Sequence, residues 1–364
     1  RRKYMKVMIA GGGTYGHIAP GLALFHEFQS RGDEVIYLCS KKDMVYKSIQ
    51  DIKDNVKSIP VRPFKRFDLP AKLSFAFHFL RGCLSSRRII RKFKPDVLIG
   101  VGGYVAGAPF MILRKSKKVK KIILEQNTLP GAVNRYFSRY ADLSVLTFEM
   151  SKKWMKGKSV VLGNPVLIEK RQDNIALAKD FFKINDNDFV LTVMGGSAGA
   201  KIVNDTVKEM VPHLKNIKII WSTGNAHFND IAAAVKEYDN IRVYPFIDKM
   251  DYLLSITDLM ISRSGATSIA EICYMGVPAI FIPYKWASEN HQVLNANFVV
   301  EGGGGEMIEE DHLSAEILLE KTKYLIEHRE KLAEMKKKIL GLFNADVKKQ
   351  IVDTIKEVVC SGKN

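Results

Sequence analysis

Residues 5–21, MKVMIAGGGTYGHIAPG, decide the class of fold. An apolar run ends in glycines and passes into a helix-like stretch from about Pro20 to Ser30, the opening of a βαβ unit. The rhythm continues outward through EVIYLC (34–39), DVLIGVGG (96–103), KIILEQN (121–127) and DLSVLTF (142–148). Alternating with amphipathic helix-like stretches, these runs give the βαβ rhythm of an open parallel sheet. After VVLGNPV (160–166) the pattern restarts with FVLTVMGG (189–196), IKIIWSTG (217–224), IRVYPF (241–246), LMISRSG (259–265) and VPAIFIPY (277–284). The expected architecture is α/β: two Rossmann-like domains, residues 1–163 and 164–343, with parallel sheets facing a central cleft. A last helix, 344–362, has a periodicity that does not say which domain it packs on. EGGGGE (301–306) reads as a flexible turn after a helix.

At 364 residues the chain has room for two to three domains of roughly 150 residues each. Its 46% hydrophobic and 26% charged residues exclude wholesale disorder, collagen-like sequence and a multi-span membrane protein. No internal stretch approaches the ~20 apolar residues of a spanning helix, and no signal-like apolar region follows the basic start, so a cytoplasmic chain is expected. Cys39, Cys83, Cys273 and Cys360 are scattered without a CxxC pair, which indicates neither a disulfide framework nor a zinc site. The net charge of +17 divides into +21 over residues 1–163 and −4 over 164–364. The first half therefore faces a polyanion, either nucleic acid or an anionic membrane.

Ligands of open α/β sheets bind where strands end, so the residues just after each strand carry the chemistry. Gly11, Gly13 and Gly16 form GxGxxG before a helix, a phosphate-cradling pattern that is weak on its own. A dinucleotide enzyme would also place an acid at the end of the second strand, where this chain has Cys39, Ser40, Lys41 and Lys42; NAD is disfavoured, whereas the lysines leave NADP open. MGGSAGA supplies Gly195, Gly196, Ser197 and Gly199, and SRSGATSIAE supplies Arg263, Ser264, Gly265, Ala266 and Thr267 at a helix start, with Glu271 about one turn in. Its carboxylate is suited to two ribose hydroxyls. Each loop alone is equally a tight turn that needs glycine. Three of them in two domains point to a nucleotide-sugar site. His17, at the first helix's N-terminus, is held neutral by the dipole and is the candidate general base. His291 and Gln292 begin another helix, where polar groups suit sugar hydroxyls. Asp186-Asn187-Asp188 precedes a strand, the wrong sheet edge for a metal-dependent sugar transfer motif, and reads as a turn.

Residues 62–94 hold ten basic residues and one acidic, interleaved with Leu73, Phe75, Phe77, Phe79 and Leu80; residues 114–121 add six positive charges. Basic residues around exposed aromatics would seat the protein on anionic lipid, whereas an amphipathic helix with core phenylalanines is the alternative. No RNA-binding signature or zinc finger supports a nucleic-acid partner.

Taken in order, GGGTYGHIAPG, GVGGYVAGAP, LEQNTLPGAVNR, LGNPV, MGGSAGA, FIDKM, SRSGATSIAEICYMGVPAIFIPY and ENHQVLNA resemble the MurG family of bacterial glycosyltransferases over nearly the whole chain. The resemblance implies a GT-B fold, with the last helix crossing back to the N-terminal domain. It implies inverting transfer of N-acetylglucosamine from UDP-N-acetylglucosamine to the 4-hydroxyl of undecaprenyl-diphospho-N-acetylmuramoyl-pentapeptide (lipid I), at the cytoplasmic face of the bacterial membrane. It further implies no tightly bound cofactor and no protein metal site, with Mg²⁺ dependence open, and no nucleic-acid partner. Carried onto this chain, Thr14, Tyr15, Gly16, His17, Tyr104, Glu125, Asn127 and Asn134 serve the acceptor side, His17 and Glu125 as catalytic residues. Ser197 would contact diphosphate, Ile247 the uracil through its backbone, Glu271 the ribose and Gln292 the sugar, with Arg263 in the same loop. This chain departs from the family pattern at Tyr15 (usually Gly), Leu124 (often His), Leu167 (commonly Arg) and Ala198 (commonly Gln). Tyr15 would set a large ring beside the phosphates. Rivals on the same fold are a diacylglycerol glycosyltransferase and a nucleotide-sugar epimerase.

Overall fold

The computed structural model describes residues 4–63, 69–171, 173–196 and 199–361, the side chains of 69–71 and 288 aside. It divides into two units, one formed by 1–167 with 346–364 and the other by 168–345. Both are doubly wound α/β units.

Unit 1 contains strands β1 (Lys6–Ala10), β2 (Glu34–Ser40), β3 (Val56–Ile59), β4 (Val97–Gly100), β5 (Lys120–Glu125), β6 (Leu143–Leu146) and β7 (Ser159–Val161). Its helices are α1 (Tyr15–Ser30), α2 (Lys47–Gln50), α3 (Leu69–Phe93), α4 (Gly103–Leu113) and α5 (Ala132–Phe137). The sheet order is β3-β2-β1-β4-β5-β6-β7, all parallel. Val7, Met8, Ile9 and Ala10 are fully buried, as are Val97, Leu98 and Ile99, which explains the unbroken apolar runs. The order reverses between β1 and β4. At such a switch point the loops after the two strands diverge and leave a crevice at the carboxyl edge.

Unit 2 repeats the plan. Its strands are β8 (Val190–Met194), β9 (Lys218–Ser222), β10 (Ile241–Tyr244), β11 (Leu259–Ser262), β12 (Ala279–Phe281) and β13 (Gly305–Met307), in the parallel order β10-β9-β8-β11-β12-β13. The helices are α6 (Asn174–Phe182), α7 (Lys201–Met210), α8 (Phe228–Ala234), α9 (Met250–Ser255), α10 (Ala266–Met275), α11 (His291–Glu301), α12 (Ala315–Glu327) and α13 (Arg329–Gly341). Here the switch point lies between β8 and β11.

The final helix, α14 (Val347–Ser361), belongs to unit 1 and packs on α1. It buries Val347, Ile351, Val352, Ile355 and Val359. Lys356 pairs with the buried Asp33 at 2.9 Å, and Arg31 with Asp353.

Three local expectations need correction. The first helix starts at Tyr15, five residues before Pro20, and Pro20 sits inside it. Proline favours a helix's first turn, but burial of Ile18, Leu22 and Phe25 around it carries the helix through. The run 301–306 does turn after α11, at Gly302 and Gly303, but its second half is not loose: β13 begins at Gly305. A side chain at Gly305 would strike the Ala279 carbonyl and the Phe281 ring, and one at Gly304 would strike Ile339. Glycine there allows close packing. The basic run 114–121 is partly structural, because Lys120 and Lys121 pair with Asp142 at 3.5 and 2.9 Å, and Lys121 also donates to the Ser116 carbonyl. Arg114 donates to the Met111 carbonyl, leaving Lys115, Lys117 and Lys118 as the exposed cations of the run.

Candidate active site

His17 lies in the first turn of α1, at the unit 1 switch point. Its ring rests against the start of α4: a methyl group at Gly102 would lie 3.1 Å from its Nδ1 and Cε1, and one at Gly103 would lie 3.2 Å from its Cδ2. Gly102 and Gly103 both have positive φ, so the chain there favours glycine for backbone as well as spatial reasons. The imidazole Nδ1 is 3.2 Å from Oε1 of Gln126, a buried residue just past β5. Residues after three adjacent strands, β1, β4 and β5, thus converge on one ring.

The glycine loop before His17 is held from behind. Asp43 is buried, and its carboxylate accepts hydrogen bonds from Gly13 N–H at 2.9 Å, Ser40 N–H at 2.8 Å and Ser40 Oγ at 2.7 Å. Gly11 N–H is bonded to the Leu38 carbonyl. Two of the amides expected to cradle a phosphate are therefore already engaged, and a carboxylate stands behind one of them. Tyr104 donates from its hydroxyl to Ser40 Oγ at 3.3 Å, which fixes the ring beside Gly13. Burial raises the Tyr104 phenol above its ordinary range. Thr14 caps α1 through its backbone conformation and is exposed; Gly16 is half-buried in the first turn. Tyr15 is half-buried. Its ring packs against Tyr46 with centroids 5.6 Å apart.

Glu125 and Asn134 are not positioned as free cleft groups. The Glu125 carboxylate accepts from Asn127 N–H (2.9 Å), Asn127 Nδ2 (3.3 Å), Gly131 N–H (3.1 Å) and Asn134 Nδ2 (2.8 Å). Asn134 Nδ2 also donates to the Leu124 carbonyl at 3.2 Å. With four donors on it, this carboxylate organises the 126–131 loop. Leu124 points into the core of the sheet.

In unit 2 the loop after β8 turns through Gly196 and Gly199, where the Gly199 N–H donates to the Gly196 carbonyl at 3.0 Å. Ser197 and Ala198 lie outside the described residues. Asn204, in α7, braces the turn: Nδ2 donates to the Thr223 carbonyl at 2.9 Å, and Oδ1 accepts from Trp221 Nε1 at 3.0 Å. At the other side of the switch point, Gly265 is the N-cap of α10, and Ala266 and Thr267 form its first turn. Ser264 Oγ donates to the Gln292 carbonyl at 2.8 Å, joining the starts of α10 and α11. Arg263 is buried, and its guanidinium is engaged within the protein: it donates to the Ile282 carbonyl at 2.9 Å and pairs with Glu310 at 2.5 Å. Glu271 is buried, and desolvation pushes its carboxyl up to about 8.

Gln292 Oε1 accepts from Tyr284 N–H at 3.0 Å, and His291 begins α11. The two residues before His291, Glu289 and Asn290, have φ of 53° and 58°. Non-glycine residues in this region cost of order 1 kcal/mol each, and such strain clusters at ligand sites. Ile247 anchors its side chain in the core near Phe182 and Ile220, while its backbone makes no hydrogen bond to another described residue. Among the described residues no group of His, Cys, Asp and Glu could hold a metal ion. The Asp186-Asn187-Asp188 turn lies before β8, with Asp188 accepting from Asn185 N–H at 2.7 Å.

Gln126, Asp43, Asn204 and Glu310 are the residues that the sequence reading did not single out. For Asp43 a signal existed: Ser40-x-x-Asp43 is a capping box at the end of β2.

Models of glycosyltransferase family 28 match both halves of the chain, the N-terminal domain over residues 7–145 and the C-terminal domain over 190–351. The chain belongs to glycosyltransferase family 28. It is 34% identical over 368 residues, covering 98% of this chain and all of the relative, to a UDP-N-acetylglucosamine--N-acetylmuramyl-(pentapeptide) pyrophosphoryl-undecaprenol N-acetylglucosamine transferase of Ruminiclostridium cellulolyticum. A protein of the same name from Exiguobacterium sp. is 32% identical, again over 98% of this chain and 100% of the relative. Among solved structures, MurG of Acinetobacter baumannii superposes with a TM-score of 0.75 at 26% identity, over 97% of this chain and 99% of that one. A UDP-GlcNAc 2-epimerase from Neisseria meningitidis, bound to UDP-GlcNAc, shares the fold alone, with a TM-score of 0.68 at 15% identity, covering 97% of this chain and 100% of that one. As a family 28 member the chain is a glycosyltransferase of the GT-B class, built from two parallel-sheet Rossmann-like units.

Proposed function

We propose that this family 28 enzyme transfers N-acetylglucosamine from UDP-N-acetylglucosamine to the 4-hydroxyl of the muramoyl sugar in undecaprenyl-diphospho-N-acetylmuramoyl-pentapeptide, the step that makes lipid II for peptidoglycan. The observation that carries this reading is full-length similarity, at 32–34% identity, to proteins named for that reaction. His17 takes the hydroxyl proton at Nε2 as the acceptor oxygen bonds to the anomeric carbon. The carbon–oxygen bond to UDP breaks at the same time, with inversion. Charge gathers on the departing diphosphate, where the oriented N–H groups at the starts of α7 and α10 and the Ser197 and Thr267 hydroxyls supply donors. Glu271 accepts the ribose hydroxyls, the Ile247 backbone pairs with uracil, and Gln292 and His291 bind the donor sugar. Thr14, Tyr104 and Asn127 bind the acceptor; Glu125, Asn134 and Arg263 hold their loops.

The reading is tested by incubating labelled UDP-N-acetylglucosamine with a lipid-linked muramoyl-pentapeptide, with UDP-glucose and diacylglycerol as control donor and acceptor. Product is expected from the first pair alone. Transfer to diacylglycerol instead would move the assignment to the rival lipid-directed transferase.

The enzyme acts at an anionic membrane surface through α3. Leu73, Phe77, Leu80 and Leu84 are exposed and recur at helical spacing along one stripe, whereas Phe79 packs on Val61 and Cys83, and Phe75 stacks on Phe79. Arg81, Arg87, Arg88, Arg91 and Lys92, all exposed, follow or flank the stripe. Each basic residue near such a surface contributes about 1 kcal/mol, and apolar burial adds to it. No helix among the described residues is long and apolar enough to cross a membrane. Phe77→Asp with Leu80→Asp should lower binding to phosphatidylglycerol vesicles at least tenfold, measured by co-sedimentation, while transfer to a short-chain, water-soluble acceptor stays within twofold. Unchanged sedimentation would remove α3 from that role. Lys115, Lys117 and Lys118 precede β5, as the basic end of α3 precedes the neighbouring β4, so both sets of cations lie at the same sheet edge.

A further inference from the structure

We infer that Gln126 sets the tautomer of His17 and is a positioning residue for proton transfer, an inference that rests on His17 being the base. The Gln126 side chain is buried, and its Nε2 donates to the Leu124 carbonyl at 3.1 Å. A main-chain carbonyl only accepts, so the NH₂ group must face Leu124 and the amide oxygen must face the imidazole. That oxygen, 3.2 Å from Nδ1, requires the ring proton to be on Nδ1. A neutral imidazole has one N–H, and Nε2 is left with its lone pair. Turning the amide over would bring two carbonyl oxygens together at Leu124 and place the ring proton on Nε2. That form takes no proton from a hydroxyl at Nε2.

The surroundings leave the ring little alternative. Gly102 and Gly103 close one side of it, and among the described residues Nε2 makes no hydrogen bond. The neighbouring ionisable groups are turned elsewhere. Glu125, adjacent in the chain, is held by its four donors in the 126–131 loop. Asp43 is held by Gly13 and Ser40 behind the glycine loop, and the Tyr104 phenol faces Ser40. The ring's polar partner is therefore a neutral amide, which orients the imidazole without adding a charge to it.

The test reads the tautomer directly, in nitrogen-15 long-range correlation spectra of the wild-type enzyme with its imidazole neutral. The expected spectrum places the proton on Nδ1. Gln126→Met, which keeps the volume and removes the acceptor, should give a mixture of tautomers and lower kcat roughly 10- to 100-fold, with KM for UDP-N-acetylglucosamine within twofold. A wild-type ring protonated on Nε2 would overturn the inference without needing the variant to fold. So would a folded Gln126→Met enzyme with unchanged tautomer and kcat. The two readings separate cleanly. His17→Ala with wild-type turnover removes the base whatever the spectrum shows, whereas an inactive His17→Ala together with an Nε2 proton removes Gln126 alone.

Discussion

His17→Ala should lower turnover by about 10²-fold or more, while UDP affinity stays within twofold and the melting temperature shifts by only a few degrees. The size of the loss follows from what the ring supplies. A hydroxyl attacking an anomeric carbon must lose its proton as the bond forms, and among the described residues the two carboxylates near the unit 1 switch point, Glu125 and Asp43, are already engaged. Glu125 adjoins Gln126 in the chain, but its carboxylate accepts from four donors. Asp43 is buried behind the loop with three donors of its own. UDP affinity should hold because the donor groups belong to unit 2, which contains none of these residues. Stability should hold because His17 is only half-buried and, among the described residues, its side chain makes a single hydrogen bond, to Gln126. Steady-state kinetics with a lipid-linked acceptor, calorimetric UDP binding and thermal unfolding check the three parts separately. A folded variant with turnover near wild type would eliminate the base assignment.

Much of this architecture was legible in the sequence, for a physical reason. A parallel sheet covered on both faces needs strands that are largely apolar, so β1, β4, β5, β8 and β11 announce themselves, as do the glycines that follow β1, β4, β8 and β11. The strands that escaped notice lack that signature. β3 is a four-residue edge strand, VKSI, with two exposed residues, and β13 is only GEM at the end of a glycine run. The candidate bases and donor groups were readable because they sit directly after legible strands. Their supports were not. Gln126 reaches His17 across 109 residues, and Asn204 braces a turn by way of Trp221 and Thr223. Such pairings depend on which strands become neighbours, and local spacing carries no trace of that. Arg263 shows the converse error, since its place in a ligand loop suggested a ligand contact while its length lets it reach Ile282 and Glu310 instead.

Glu271→Gln should weaken UDP binding roughly 10- to 100-fold at pH 8.5 and, at the same pH, raise the melting temperature by several degrees. Both effects have one source. Burial pushes the carboxyl up to about 8, well above the ~4.3 of an unfolded chain, so the folded protein holds an extra proton between those values. Stability therefore falls as pH rises from about 4.5 to about 8 and levels off beyond, because ionising the carboxyl in place is opposed by its desolvation. An amide has no charge to desolvate, and the gap in melting temperature between variant and wild type should open across that window and be small at pH 5. Ribose reverses the balance. Two hydroxyls donating to a carboxylate form charge-assisted hydrogen bonds, each worth about 1.5–3 kcal/mol, whereas an amide oxygen offers weaker ones. Wild-type affinity for UDP should consequently increase with pH up to about 8, with release of a proton on binding near pH 7 that calorimetry in buffers of different ionisation enthalpy would detect. The variant should show neither. A UDP analogue lacking the 2′- and 3′-hydroxyls should bind both proteins alike, closing a cycle that isolates the ribose contact. Higher stability with unchanged UDP affinity would leave Glu271 as a costly buried acid with no part in donor recognition.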